Sequence, residues 1–145
     1  ACEDLQSKGL ELFIPTSNNL NKVGLGRDKW IVNPTAISIV YLEMYKFLGK
    51  LFGYAILSTN YLALNLPSYF WKKLLNHKLE PADLENLDIL AYNSIIKVLL
   101  NPEKYQLELE NLFEVLEFSY QTVNGDTIEL MPNGKDIKVS EENMK

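Results

Sequence analysis

Between Leu42 and Ile56 apolar residues recur at Leu42, Tyr45, Leu48, Leu51, Phe52, Ala55 and Ile56. That is the spacing of a helix with one wide apolar face. Glu43, Lys46 and Lys50 fall on the other side, so one face is wetted. Gly49 and Gly53 lie one turn apart within the stretch, and each costs about 1 kcal/mol relative to alanine in a helix interior. A helix that accepts both is expected to gain close approach of another backbone across a flat stripe without side chains. The same glycine spacing would suit helix pairing in a membrane, but the three charges argue for water. Such a helix needs a core around it, and 145 residues, 47% of them hydrophobic, suit one domain able to supply it.

The remaining totals exclude several classes of function. The formal net charge is −5, with no block of like charges, so no nucleic-acid surface is expected. Cys2 is the only cysteine, which leaves no internal disulfide and no cysteine-based zinc site and suits a reduced, intracellular setting. No basic region with a small-residue cleavage site opens the chain, so no signal peptide is expected. Leu51 to Trp71 carries no formal charge and approaches the length of a membrane span. Ser58-Thr59-Asn60, Asn65 and Pro67 interrupt it too heavily, and it reads instead as a helix end, a turn, an extended run and a new helix.

In chain order, Ala1 to Lys8 reads as the tail of a helix closed by Gly9. Leu10 to Ile14 reads as a strand with Leu10, Leu12 and Ile14 on one face, ended by Pro15. Thr16 to Asp28 is expected to be a loop, and its Gly24-Leu25-Gly26 a turn rather than a phosphate loop, since no third glycine or Gly-Lys-Ser follows. Trp30 to Val32 reads as a second short strand, broken by Asn33-Pro34. Ser38 is a plausible cap for the central helix. Pro67 opens a helix running to Asn76, with Tyr69, Phe70, Trp71 and Leu74 as its bulky residues.

Glu80 to Leu84 begins a short helical turn with acids near its positive end, and Asp88 can cap the next helix. Ile89, Tyr92, Ile95, Ile96, Leu99 and Leu100 form the apolar stripe of that helix, which Asn101-Pro102 terminates. From Val115 the period changes to two: Leu116, Phe118 and Tyr120 alternate with polar residues, and Asn124-Gly125 supplies a tight turn. Ile128 and Leu130 continue on a return strand, Pro132-Asn133-Gly134 turns again, and Ile137 and Val139 form a third strand. The expected fold class is therefore α+β, mostly helical with short strands and a C-terminal antiparallel β-meander. Ser140 followed by Glu141 and Glu142 has the chemistry of a helix start, so further chain is expected after Lys145.

Several of these pieces, in order, resemble the HECT-type ubiquitin ligases. Phe47-Leu48-Gly49-Lys50-Leu51-Phe52-Gly53-Tyr54-Ala55-Ile56 is similar to the family's F-x-G-(R/K)-x-x-G-x-A-I central helix. Leu12-Phe13-Ile14-Pro15 and Asn33-Pro34 resemble segments upstream of that helix. Leu64-Asn65-Leu66-Pro67 and Phe70-Trp71-Lys72-Lys73-Leu74-Leu75 resemble L-x-L-P followed by F-(Y/W)-K-x-L-L. Asp83-Leu84-Glu85 with Asp88 resembles D-L-E-x-x-D, and Tyr92-Asn93-Ser94-Ile95 resembles Y-N-S-L. Leu130-Met131-Pro132-Asn133-Gly134 with Ile137, Val139, Ser140, Glu142 and Asn143 resembles L-x-P-x-G-x-x-I-x-V-(T/S)-x-E-N. Cys2 to Ser7 leans toward the HERC-like branch.

The resemblance implies that residues 1–145 are the first part of the N-terminal lobe of a HECT domain. It implies a conjugating-enzyme-binding subdomain and a catalytic lobe following this segment. The full domain would take ubiquitin from a conjugating enzyme onto a cysteine thioester and pass it to a substrate lysine, in the cytoplasm or nucleus. This segment alone would scaffold that reaction without performing it. A different-class alternative is a stand-alone α+β adaptor or interaction module without catalysis.

The residues nominate no catalytic, cofactor-binding or metal site. Cys2 lies beside Glu3 and Asp4, which oppose the thiolate a nucleophile needs. His77, the single histidine, has Lys78 beside it and no ligand partner at useful spacing. Trp30, Tyr61 and Trp71 are expected to pack in the core rather than stand exposed for recognition. The apolar stripes need more cover than this length supplies, so self-association of the segment is expected.

Overall fold

The computed structural model describes residues 2–7, 9–121 and 125–143, in two compact units, Ala1–Leu90 and Ala91–Lys145. The α+β reading is borne out: the described residues are largely helical, with two two-stranded antiparallel sheets.

In the first unit the expected strand near Leu10 is shorter and later. β1 is Phe13–Pro15 and pairs with β2, Trp30–Val32, in the register Phe13↔Val32, Ile14↔Ile31 and Pro15↔Trp30. The alternation breaks because Glu11 takes a left-handed backbone conformation, φ 52°, so Leu12 and Phe13 are both buried instead of facing opposite ways. The segment expected to be all loop contains a short helix, α2, Ser17–Asn21, after α1, Cys2–Leu5. Thr16 caps α2 by accepting from the Asn19 N–H at 3.1 Å, and Lys22 closes it at φ 55°. Gly24 and Gly26 then turn the chain at positive φ, as a glycine pair in a turn does.

α3, Ile39–Leu57, is the expected central helix, with Ser38 at its N-cap position and Ser58 at its C-cap. The Ser58 hydroxyl donates to the Tyr54 carbonyl at 2.8 Å. The helix lays Leu48 against Leu12, Phe13 and Leu66, the buried core of this unit, with Trp30, Leu51, Phe52 and Phe70 packed around it. The Tyr45 hydroxyl donates to the Leu12 carbonyl at 2.7 Å, and burial pushes its phenol above the ordinary range. The expected apolar face is only partly covered, since Leu42 and Ile56 are exposed. The expected close approach at the glycines is absent. A Cβ at Gly49 or Gly53 would meet nothing within 4 Å among the described residues.

α4, Ser68–Leu74, starts after Pro67, and α5, Pro81–Glu85, follows as expected. α6 is Ile89–Ala91.

In the second unit the predicted single helix is not one α-helix. A π turn, Tyr92–Ile96, leads into α7, Lys97–Leu100, with the Lys97 N–H donating to the Tyr92 carbonyl. A wide turn resets the angular register, so one 3.6-residue wheel cannot describe the segment. Val98, off the predicted stripe, is buried, whereas Leu100 is exposed. α8, Gln106–Val115, was not anticipated, and it packs against α7. Leu109, Leu112 and Phe113 carry the helical spacing that would have revealed it.

β3, Ser119–Gln121, and β4, Thr127–Glu129, form the expected hairpin. Gly125 turns at φ 87°, and Asn124 lies outside the described residues. The third strand differs from a meander. Lys138 bridges Glu117 in antiparallel sense, so 137–139 runs in the same direction as β4 and extends its role. Phe118 accepts from the Leu130 N–H at 2.8 Å and donates to the Ile137 carbonyl at 3.3 Å. The chain leaves the ladder at Leu130, makes the short 3₁₀ turn Gly134–Asp136, and rejoins it. The physical reason lies at Gly134, which is buried against Phe118; a Cβ there would run into the Phe118 carbonyl. At the end of the segment the Ser140 N–H donates to Asn143 Oδ1 at 2.7 Å, one half of the reciprocal bonding of a helix-start box.

Candidate functional site

Three arrangements in the first unit concentrate its polar and aromatic chemistry. The first is a buried polar hub. Asn18 is 0% exposed, and its amide donates to the carbonyls of Leu25 and Glu85 at 3.0 and 2.9 Å while accepting from the Ile89 N–H at 2.8 Å. Its backbone N–H donates to Leu87. Every hydrogen-bonding capacity of a side chain taken out of water is thus used where one is needed. α2 exists to place this residue, and the hub fastens the glycine turn to the segment after α5.

The second is an ion pair built on a capping box. Glu80 is the N-cap of α5 and Asp83 its third residue, with the reciprocal bonds both present. Asp83 is buried, and its Oδ2 accepts from the Glu80 N–H and from Lys72 Nζ, each at 2.8 Å. Lys72 also lies 3.7 Å from Glu80. The Lys72 ammonium bonded to Asp83 holds that carboxyl below its ordinary 3.8, and the Glu80 N–H adds to the effect. The same bond raises Lys72 above 10.5. All of these groups serve each other, so the cluster ties α4 to α5 and offers no free acid or base.

The third is an apolar groove of about 400 Å³ between the end of α3, the extended run after it, and α4, lined by Phe52, Ala55, Ile56, Tyr61, Leu64 and Trp71 among others. Its wall is aromatic. Phe52 and Trp71 stand 5.7 Å apart, Phe70 and Trp71 5.0 Å, Phe52 and Phe70 6.2 Å, and Phe13 continues the cluster into the core at 6.4 Å from Phe70.

The residues singled out in the sequence are scattered. Cys2 lies half-buried on α1, and His77 is exposed after α4. Trp30 packs against the core as expected. Tyr61 does the opposite: it is 99% exposed, because Tyr61 sits on an extended run outside the helical ladder. Trp71 too is exposed, at 42%, contrary to the expected core packing, because it stands at the rim of the groove. Among the described residues no group of three His, Cys, Asp or Glu side chains could hold a metal ion, and no helix is long and apolar enough to cross a membrane. Reasoning from sequence missed Asn18 altogether. One asparagine in a Ser-Asn-Asn-Leu-Asn run carries no mark of burial.

The whole of residues 1–145 matches the family model described as "HECT-domain (ubiquitin-transferase)". The chain belongs to the HECT-domain family. It is 33% identical, over 98% of its length, to the human protein named Probable E3 ubiquitin-protein ligase HECTD4. It is 39% identical over 60% of its length to mouse E3 ubiquitin-protein ligase HERC2, and 36% identical over 79% to E3 ubiquitin-protein ligase pub3 of Schizosaccharomyces pombe. The chain spans only 4%, 2% and 14% of the lengths of these three relatives. With the family known, the HECT-like motifs acquire structural roles. Lys72 of the F-(Y/W)-K motif meets Asp83 of D-L-E, and the glycine of L-x-P-x-G is the residue pressed against Phe118.

Proposed function

We propose that this segment is the scaffolding first part of the N-terminal lobe of a HECT ubiquitin ligase. The complete ligase takes ubiquitin from a conjugating enzyme onto a cysteine in another lobe and transfers it to a protein substrate. The observation that carries this reading is the match of all 145 residues to the HECT family in a segment whose one cysteine lies beside Glu3 and Asp4. A thioester carrier needs a thiol activated by a cation or a histidine, whereas the neighbours of Cys2 on the four-residue α1 are Glu3 and Asp4. The relatives are many times longer than the segment, which leaves room in a longer protein for the conjugating-enzyme-binding and catalytic parts. Ubiquitin conjugation places the work inside the cell, in cytoplasm or nucleus.

The test uses activating enzyme, conjugating enzyme, ubiquitin and the 145-residue chain, run on gels with and without reductant. No reductant-sensitive ubiquitin adduct of the chain is expected. An adduct that disappears in Cys2→Ala would make the segment a carrier and overturn the scaffold reading.

A further inference from the structure

The groove beside Trp71 has a side chain of matching chemistry at its rim. Tyr61 lines it yet is 99% exposed. An aromatic ring left in water next to an apolar, aromatic-walled hollow is out of balance with its surroundings, since both surfaces gain by leaving water. The backbone around Tyr61 is held on both sides of that residue, and after it the Leu64 N–H also donates to the Leu62 carbonyl at 2.9 Å, with Leu64 packed on the core. Before it, the Asn60 N–H donates to the Ala55 carbonyl at 3.0 Å. After it, the Asn65 N–H donates to Gln6 Oε1 at 3.0 Å and the Asn65 carbonyl accepts from Trp30 at 2.8 Å. Among the described residues the backbone of Tyr61 makes no bond of this kind. Thr59, immediately before the strap, takes a left-handed conformation at φ 54° and turns the chain off α3.

We propose that residues 60–65 are a strap and Tyr61 its plug: the ring swings into the groove and stacks on the Phe52–Trp71 pair, extending the aromatic cluster that begins at Phe13. The structure shows the strap open. Closing needs only rotations about Asn60 and Tyr61, ahead of the Leu62–Leu64 turn, and no helix or strand bond has to break. The occupant is this chain's own tyrosine because it already forms the rim, is tethered within reach, and matches the wall in kind. The open form exposes Trp71, and the closed form covers it, so the strap controls whether this apolar surface is presented.

The experiment follows the two tryptophans, Trp30 and Trp71, by fluorine NMR of the chain labelled with 5-fluorotryptophan, with acrylamide quenching of fluorescence alongside. Trp30 packs on the core and serves as the reporter of intact folding. In Tyr61→Ser the Trp71 resonance is expected to shift and its quenching to rise, while Trp30 stays in place. Tyr61→Phe is expected to keep the wild-type pattern, because the ring and not the hydroxyl fills the groove. A Trp71 signal indifferent to Tyr61→Ser would overturn the proposal. So would Trp71 protection that grows with protein concentration and survives Tyr61→Ser, which would put a second copy in the groove.

Discussion

Gly53 on α3 and Gly134 before the last ladder contact invite opposite conclusions from sequence and from structure. Gly49 and Gly53 stand one turn apart in a helix, the pattern that most suggests a neighbouring backbone, and a side chain at either would point into open space. Gly134 stands in a Pro-Asn-Gly turn, where glycine is ordinary, and it is buried against the Phe118 backbone. Spacing reports where a helix could be approached. It does not report whether anything approaches. Only the fold's path decides that, and here the path crowds the hairpin and leaves the glycine face of the central helix bare.

The largest expected effect sharpens that comparison at Gly134. Gly134→Ala forces a methyl against a carbonyl that cannot rotate away, and the upper end of overpacking costs, about 3 kcal/mol, is expected in urea denaturation. A midpoint equal to wild type would show that the turn has room to move. Asn18→Ala is expected to cost about as much within the first unit. It leaves the buried Ile89 N–H and two carbonyls without partners, at about 1–3 kcal/mol for an unsatisfied buried group.

Asp83→Ala comes next. It removes a carboxylate that satisfies both Lys72 and the Glu80 N–H, and about 1.5–3 kcal/mol is expected for hydrogen bonds to a charged group. The same residue predicts an acid dependence. Its folded pKa lies below the ordinary 3.8, so its contribution is present above that value and is lost as pH falls through the depressed one. Lys72 is raised above 10.5; its contribution is complete below that and fades only as pH climbs through the raised value. Asp83→Asn should therefore flatten the fall in urea midpoint below pH 3.8 and shrink the alkaline limb as well, because the Asp83 carboxylate is the main cause of the raised Lys72. An acid limb identical to wild type would remove Asp83 from the account.

The smallest effect has the opposite sign. Gly53→Ala is expected to stabilise the chain by up to about 1 kcal/mol, because helix propensity rises and nothing is displaced. A loss of stability would restore the tight-contact reading of the glycine pair.

The legible parts of this fold were those set by local chemistry. Ser38 and Pro67 bound their helices, the Glu80-Pro81 start carried its own box, and the alternation from Leu116 gave the hairpin. The illegible parts depend on residues far apart in sequence. Glu11 adopts a left-handed backbone that turns Phe13 inward, which no two-residue alternation can foresee. The π turn at Tyr92–Ile96 breaks the wheel on which the stripe to Leu100 was drawn. The return of 137–139 to Glu117 depends on how the chain folds around Gly134. At the site, Asn18 and the exposed Tyr61 emerge only once the chain is folded.

On the proposed scaffold reading, the HECT-like residues of this segment hold architecture rather than perform chemistry. Single-turnover ubiquitin transfer by the complete ligase, measured for Asp83→Asn and expressed per folded molecule, tests it most directly. The account predicts the wild-type rate once the unfolded fraction is discounted. A well-folded variant slowed about tenfold, equivalent to about 1.4 kcal/mol of transition-state stabilisation, would place Asp83 in the chemistry and contradict it.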